Sequence, residues 1–310
     1  MQVAVAVVVI AAGLGVAIFG SRVAVAAASR LAAGSRIPAF VVGLTLVAFG
    51  TDLPEIANSI VASLCGHGDL NVGDSVGSAV TQSTLVVGLA PFVAGTVMIG
   101  RRSVSALGGA TAVALGVGAV LVADGFLSRS DAVVLLALWV ILTGAVWRFL
   151  PKSGAPSLPL GGGVLAGLGR VALGLALVGG GAAAAVWGLV TVADTLSLPE
   201  YVVSFFGASI GTSLPELVVV LTALRRGERE LALGDAFGSS LMDATLSIGA
   251  GPLIAPVAVT ADLAVRGALA GMGVVALVVI VLSGRGRHDK VTGAVLIALY
   301  LAFYPLLLVG

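Results

Sequence analysis

The sequence predicts an all-α membrane protein: ten transmembrane helices arranged as two inverted five-helix repeats. Three observations carry this. Of 310 residues, 59% are hydrophobic and only 10% charged, where a soluble globular chain carries about a quarter charged. The apolar residues fall in ten runs of roughly 18–28, each long enough to cross ~30 Å of hydrocarbon. Two short strings also recur at one offset. Gly50-Thr51-Asp52-Leu53-Pro54-Glu55 returns 161 residues later as Gly211-Thr212-Ser213-Leu214-Pro215-Glu216, and Gly73-Asp74-Ser75-Val76-Gly77-Ser78 returns as Gly234-Asp235-Ala236-Phe237-Gly238-Ser239.

In chain order the spans are expected at 2–28, 37–64, 74–97, 103–123, 130–149, 162–190, 198–224, 232–256, 262–283 and 290–309. The first follows no basic segment, so it reads as a membrane helix and not a cleaved signal. Glycine- and proline-bearing breaks separate the runs, among them Gly66–Asp74, Pro151–Pro159 and Gly284–Lys290. Asp74 and Asp235 are expected at such loop edges, opening helices as first-turn acids. Fourteen of the sixteen lysines and arginines fall in or beside alternate connections, leaving only Arg129 and Arg266 opposite. The positive-inside rule makes the fourteen cytoplasmic and both termini extracellular.

The shared offset makes residues 1–150 a first repeat, 151–159 a cytoplasmic linker and 160–310 a second repeat. Because five spans is odd, the second repeat enters the membrane from the other side. That architecture belongs to secondary transporters, whose sites lie near the midplane between repeats.

Composition excludes several functions. A net charge of +1 gives no reason to expect nucleic acid, the single Cys65 excludes an internal disulfide, and no Cys/His cluster has zinc spacing. His67 and His288 fall in short polar loops and read as solvated. No organic cofactor is expected, and no obligatory protein partner is evident.

The chemistry gathers at the repeated strings. A proline in a helix withholds the amide that would close on the carbonyl four residues back, here those of Gly50 and Gly211. Each hexapeptide thus offers a broken turn, a threonine hydroxyl and a glutamate. Residues four apart share a helix face, which stacks Thr51 over Glu55, Thr212 over Glu216, Ser78 over Gln82 and Ser239 over Asp243. Asp52, Glu55, Glu216 and Asp243 would face one cavity, with no lysine or arginine deep in those four spans. Carboxylates in apolar surroundings bind a cation, pair, or take up protons. Oxygen ligands without thiolate or imidazole suit Ca²⁺ and Na⁺. For the hydroxyls of Thr51, Thr212, Ser78 and Ser239 a second reading stands beside ion binding: hydrogen bonds to their own helix. Gly73, Gly77, Gly234 and Gly238 read as packing residues.

At these residues the chain resembles the sodium/calcium exchanger family of the cation/calcium antiporter superfamily, specifically over residues 43–88 and 204–249. The resemblance implies an antiporter exchanging Ca²⁺ for Na⁺ across the cell membrane by alternating access. Carried over, Glu55 and Glu216 would be the main Ca²⁺ ligands, with Thr51 and Thr212. Ser78, Ser239, Ser213 and the carbonyls near Ala48 and Ser209 would complete the Na⁺ sites, and Asp243 matches the acidic position of the eighth helix. Helices 1 and 6 would slide over the rest. The chain departs from the family at Asp52 (usually serine), Gln82 (usually asparagine), Ala79 and Ser240. Those departures leave H⁺ or K⁺ coupling open. A cation channel and an intramembrane aspartyl protease are the rival classes. One chain holding its own two-fold site argues against the first, and the loop-edge aspartates against the second.

Overall fold

The computed structural model describes residues 2–35, 37–98, 100–149, 163–195 and 212–308. In chain order these form α1 (Gln2–Ser35), α2 (Ala39–Val42), a π-helical turn (Gly43–Val47), α3 (Ala48–Thr51), α4 (Leu53–Leu64), α5 (Gly68–Thr81), a second π turn (Gln82–Val86) and α6 (Val87–Ala94). After β1 (Val97–Met98) come α7 (Arg101–Leu121), β2 (Phe126–Leu127), α8 (Arg129–Phe149) and α9 (Val164–Thr195). The chain continues through α10 (Leu214–Arg225), α11 (Arg229–Met242), a third π turn (Asp243–Ser247) and α12 (Ile248–Ile254). It ends with β3 (Val257–Ala258), α13 (Ala261–Arg285), β4 (Arg287–His288) and α14 (Lys290–Leu308).

Among the described residues, six helices are long and apolar enough to cross a membrane, and a seventh if the pair broken at Asp52 is one span. All ten expected stretches hold helix, but three fall short of that measure for identifiable reasons. Residues 198–211 of the seventh lie outside the described residues. The eighth is helical from 229 to 254 but rich in serine, glycine and aspartate. The apolar part of the tenth, Lys290–Phe303, is short.

The π turns share a sequence feature: threonine at the third position, Thr45, Thr84 and Thr245. Each hydroxyl donates to the carbonyl four residues back, Val41 O at 2.8 Å, Val80 O at 2.5 Å and Leu241 O at 2.6 Å. Such back-bonding loosens a helix. The amides of Ala48 and Val87 reach back five residues, to Gly43 O and Gln82 O, the spacing of a π turn.

Two compact units divide the chain, residues 1–51 with 153–235 and residues 52–152 with 236–310. In the first, α1 and α9 run against each other and α10 packs on both. Glycines permit the approach: a Cβ on Gly13 would stand 2.6 Å from Gly181 O, and one on Gly20 2.7 Å from Gly174 O. Seen from the other helix, the same two pairs close. Ser21 Oγ and Thr222 Oγ1 share a hydrogen bond of 2.7 Å, tying α1 to α10.

In the second unit α7 packs along α13, α4 and α8 pack on α12, and α6 packs on α14. Two short antiparallel ladders tie connections together, Val97↔His288 with Met98↔Arg287, and Phe126↔Ala258 with Leu127↔Val257. Arg129 donates to Leu253 O at 3.3 Å and Ile254 O at 3.0 Å, capping the last carbonyls of α12 as a basic residue can.

Candidate functional site

Both hexapeptides fold into the same turn. Asp52 and Ser213 stand at the N-caps of α4 and α10 with nearly equal backbone angles, φ −78°, ψ 1° and φ −82°, ψ 7°. Their carbonyls accept the first helical bonds, from Ile56 N at 3.0 Å and Leu217 N at 3.1 Å. Leu53-Pro54 and Leu214-Pro215 follow at the first two helical positions, where a proline's missing amide has no intrahelical role. Glu55 and Glu216 then fall in the first turn, at the positive end of the helix dipole.

This turn corrects the stacking expected of Thr51 and Glu55. Thr51 closes α3 and Glu55 opens α4, so the chain is broken at Asp52 between them. The Thr51 hydroxyl donates to Ala48 O at 3.1 Å, the ordinary use of a helical threonine that also engages the Ala48 carbonyl. In the first unit Ala48, Thr51, Ser213 and Glu216 are buried and Thr212 is half-buried. Ser209 lies outside the described residues.

The second unit collects the other acids. Asp52, Glu55 and Asp243 are wholly buried, as are Ser78, Gln82 and Ser239. α4 packs against α5 and against the π turn that begins at Asp243. Asp243, Asp52 and Asp74 lie close enough to Glu55 to repel its charge, and neither Glu55 carboxyl oxygen has a hydrogen-bond partner. Gln82 and Ser247 flank Asp243. Two like charges 4 Å apart repel by ~4 kcal/mol at an effective dielectric constant of 20. Four buried acids therefore need cations or protons among them.

Asp74 belongs to this group against expectation. Gly66, at φ 80°, turns the chain within three residues, and α5 starts at Gly68, ahead of the apolar run. Asp74 is thereby the seventh residue of its helix, buried, with Asn58 Nδ2 donating to its Oδ2 at 2.6 Å. Asp235 occupies the matching seventh position of α11 and is also buried. Neither begins a helix. The offset that paired these aspartates was the available signal, since first-turn acids at a water-facing edge need no partner.

A second correction concerns His288. It is buried, with Nε2 2.8 Å from Val87 O and Nδ1 3.0 Å from Thr292 Oγ1. The ladder with Val97 draws it inward, and a two-residue strand leaves no periodicity to read. Its neighbours also carry a repeat signal: Pro91 and Pro252 interrupt α6 and α12 at the same 161-residue offset.

Comparison with known proteins agrees with these features. A family model described as sodium/calcium exchanger protein matches residues 5–148 and 166–309. The inner membrane protein YrbG of Escherichia coli (strain K12) is 30% identical, over 79% of this chain and 78% of its own. The sodium/calcium exchanger MaX1 of Methanosarcina acetivorans is 27% identical, over 95% of this chain and 96% of its own. A solved structure of the sodium-calcium exchanger NCX_Mj, soaked with 10 mM Na⁺ and zero Ca²⁺, matches at a TM-score of 0.81. It is 26% identical and covers 97% of this chain and 98% of that one.

Proposed function

Since the chain belongs to the sodium/calcium exchanger family, we propose that it is a secondary active antiporter exchanging Ca²⁺ for Na⁺ across the cell membrane. Membership makes it a multi-pass membrane transporter and not an enzyme. The finer reading is that Glu55 and Glu216 bind Ca²⁺ from opposite sides, with Thr51, Thr212 and Asp243. Asp52, Ser213, Ser78, Ser239, Gln82 and the carbonyls near Ala48 and Ser209 hold the exchanging monovalent ions.

The observation that carries this is Glu55: wholly buried, no hydrogen bond to either oxygen, and three other acids close by. Such a carboxylate is stable in a membrane only when a cation or a proton neutralises it. One divalent ion or several monovalent ions do this equally, so they compete for the same oxygens. The empty, charged cavity resists closure, and exchange becomes obligatory.

Ten spans in two inverted repeats are the architecture we assign, residues 1–150 and 160–310 flanking the linker 151–159. Reciprocity supports it. Gly174 and Gly181 are the 161-residue counterparts of Gly13 and Gly20. Gly13 meets Gly181 while Gly20 meets Gly174, the self-complementary pattern of a two-fold contact. The lysines and arginines put both termini outside.

The test is ⁴⁵Ca²⁺ uptake into proteoliposomes under an imposed Na⁺ gradient and, separately, an imposed H⁺ gradient. Uptake should require a counter-ion inside the vesicle and fall to background in Glu55→Ala and in Glu216→Ala. Normal uptake in both variants overturns the ligand assignment, and flux without counter-ion makes the protein a channel. H⁺ coupling is the second reading, favoured by Asp52, a fourth buried acid in the group around Glu55.

A further inference from the structure

In the second unit Pro91 lies inside α6 and Pro252 inside α12. Each withholds the amide that would close on the carbonyl four residues back, those of Val87 and Ile248. Both carbonyls instead face a side chain from elsewhere. Asn71 Nδ2 donates to Ile248 O at 3.1 Å. His288 Nε2 lies 2.8 Å from Val87 O, and since a carbonyl only accepts, Nε2 carries the hydrogen. Corresponding places in the two halves are thus closed by an amide that never titrates and by an imidazole that does.

The surroundings fix the state of the imidazole. In the neutral ring Nδ1 accepts from the Thr292 hydroxyl, 3.0 Å away, and that hydroxyl accepts from Asp289 N at 2.7 Å. Protonation makes Nδ1 a donor and turns the hydroxyl hydrogen toward Asp289, whose backbone O is 2.7 Å and Oδ1 3.1 Å off. It also puts a positive charge in a buried place at the N-terminus of α14, where the helix dipole opposes it. The neighbouring elements carry four basic residues, while the charge that acts on the ring is that of Asp289. Arg285 comes from α13, Arg287 from β4, Lys290 from α14, and Arg101 from α7, its Nη2 donating to Gly284 O at 3.3 Å. Asp289 is the one acid beside it among the described residues, held in its charged form by the Thr292 amide, Arg285 and Arg287. α6 contributes Val87, Gly88 and Pro91, none of which titrates.

We propose that His288 is a positioning residue: its Nε2–H pins the proline-broken end of helix 68–94 to α14, and because that buried place disfavours a charged ring, acid on the arginine-rich face loosens that end and slows transport. The segment so held includes the π turn that begins at Gln82, one of the assigned ion ligands, so the effect on rate rests on the antiporter reading. Burial holds the His288 pKa below the usual histidine value despite Val87 O and Asp289. Between those two values the unfolded chain takes up a proton and the folded one does not, so stability falls as the pH drops through that window.

The test measures two things on the full-length protein, wild type and His288→Gln: melting temperature in detergent, and ⁴⁵Ca²⁺ exchange, each from about pH 8 to about pH 5, spanning the histidine range. Glutamine offers Val87 O a donor without titrating, as Asn71 does for Ile248. The wild type should lose melting temperature as the pH falls below about 6.5, the ordinary histidine value, and lose exchange at lower pH, where the folded ring itself takes up the proton. His288→Gln should exchange within about twofold of wild type at neutral pH and show neither inflection. Pro91→Ala, which returns an amide to Val87 O and keeps the buried histidine, should keep the melting inflection and lose the acid dependence of exchange. An acid inflection in melting temperature that persists unchanged in His288→Gln overturns the proposal, as does an unchanged acid loss of exchange in Pro91→Ala. Because melting is read without transport, a protein with the inflection but no Ca²⁺ exchange would overturn the antiporter reading alone.

Discussion

Asp52 and Ser213 occupy one turn with one backbone geometry and differ in charge. That makes Asp52 a sharp probe of the coupling ion. A serine fits the N-cap without strain, since its counterpart already does so, and the substitution removes one of the three acids around Glu55. If Asp52 takes up the proton in an exchange cycle, Asp52→Ser should reduce H⁺-driven ⁴⁵Ca²⁺ uptake about tenfold relative to Na⁺-driven uptake, a change of ~1.4 kcal/mol. The ratio of the two rates, measured on the same proteoliposomes, is the readout. An unchanged ratio would assign Asp52 to structure or to monovalent-ion binding. Glu55 itself was legible from sequence, because an intramembrane acid beside a proline break has few structural uses. Asp74 was not. Its burial follows from a turn at Gly66 and an amide on Asn58, and neither residue has a periodicity that reveals it.

At the scale of the helix, interior breaks hold by borrowed donors. Asn71→Ala would leave Ile248 O without the bond that replaces the one Pro252 withholds, and an unsatisfied buried carbonyl costs about 1–3 kcal/mol. Pro252→Ala restores an amide to the helix and should relieve most of that cost. The two substitutions therefore should not add: Asn71→Ala should lower the melting temperature clearly in the wild type and little in the Pro252→Ala background. Equal losses in both would mean that Asn71 stabilises the fold by some other contact. These breaks show where sequence reading stops. Pro54 and Pro215 stood inside a repeated string and were read at once. Pro91 and Pro252 share the same offset but lie among dissimilar neighbours, and the donors that complete them come from distant chain positions. The threonine of each π turn likewise carries no local signal, because a threonine in an ordinary helix bonds the same carbonyl.

At the scale of the whole molecule, the order of helices follows the apolar runs closely, while the side of the membrane each loop faces follows only from charge. Fourteen cationic residues against two is a strong bias, and it makes a prediction that the single cysteine can test. Cys65 is exposed, directly after α4, and the connection it opens is among those the charge bias places outside. A membrane-impermeant maleimide added to intact cells should label the wild type and leave Cys65→Ser unlabelled. In the Cys65→Ser background, Arg287→Cys should react only after the cells are permeabilised, because β4 lies in an arginine-rich connection. The two positions report opposite faces, so a wholly reversed protein would exchange their labelling and could not pass for the assigned one. Labelling of both from outside would break the alternation on which the inverted repeat depends. The same pair also fixes which face of the vesicle the His288 experiment must acidify.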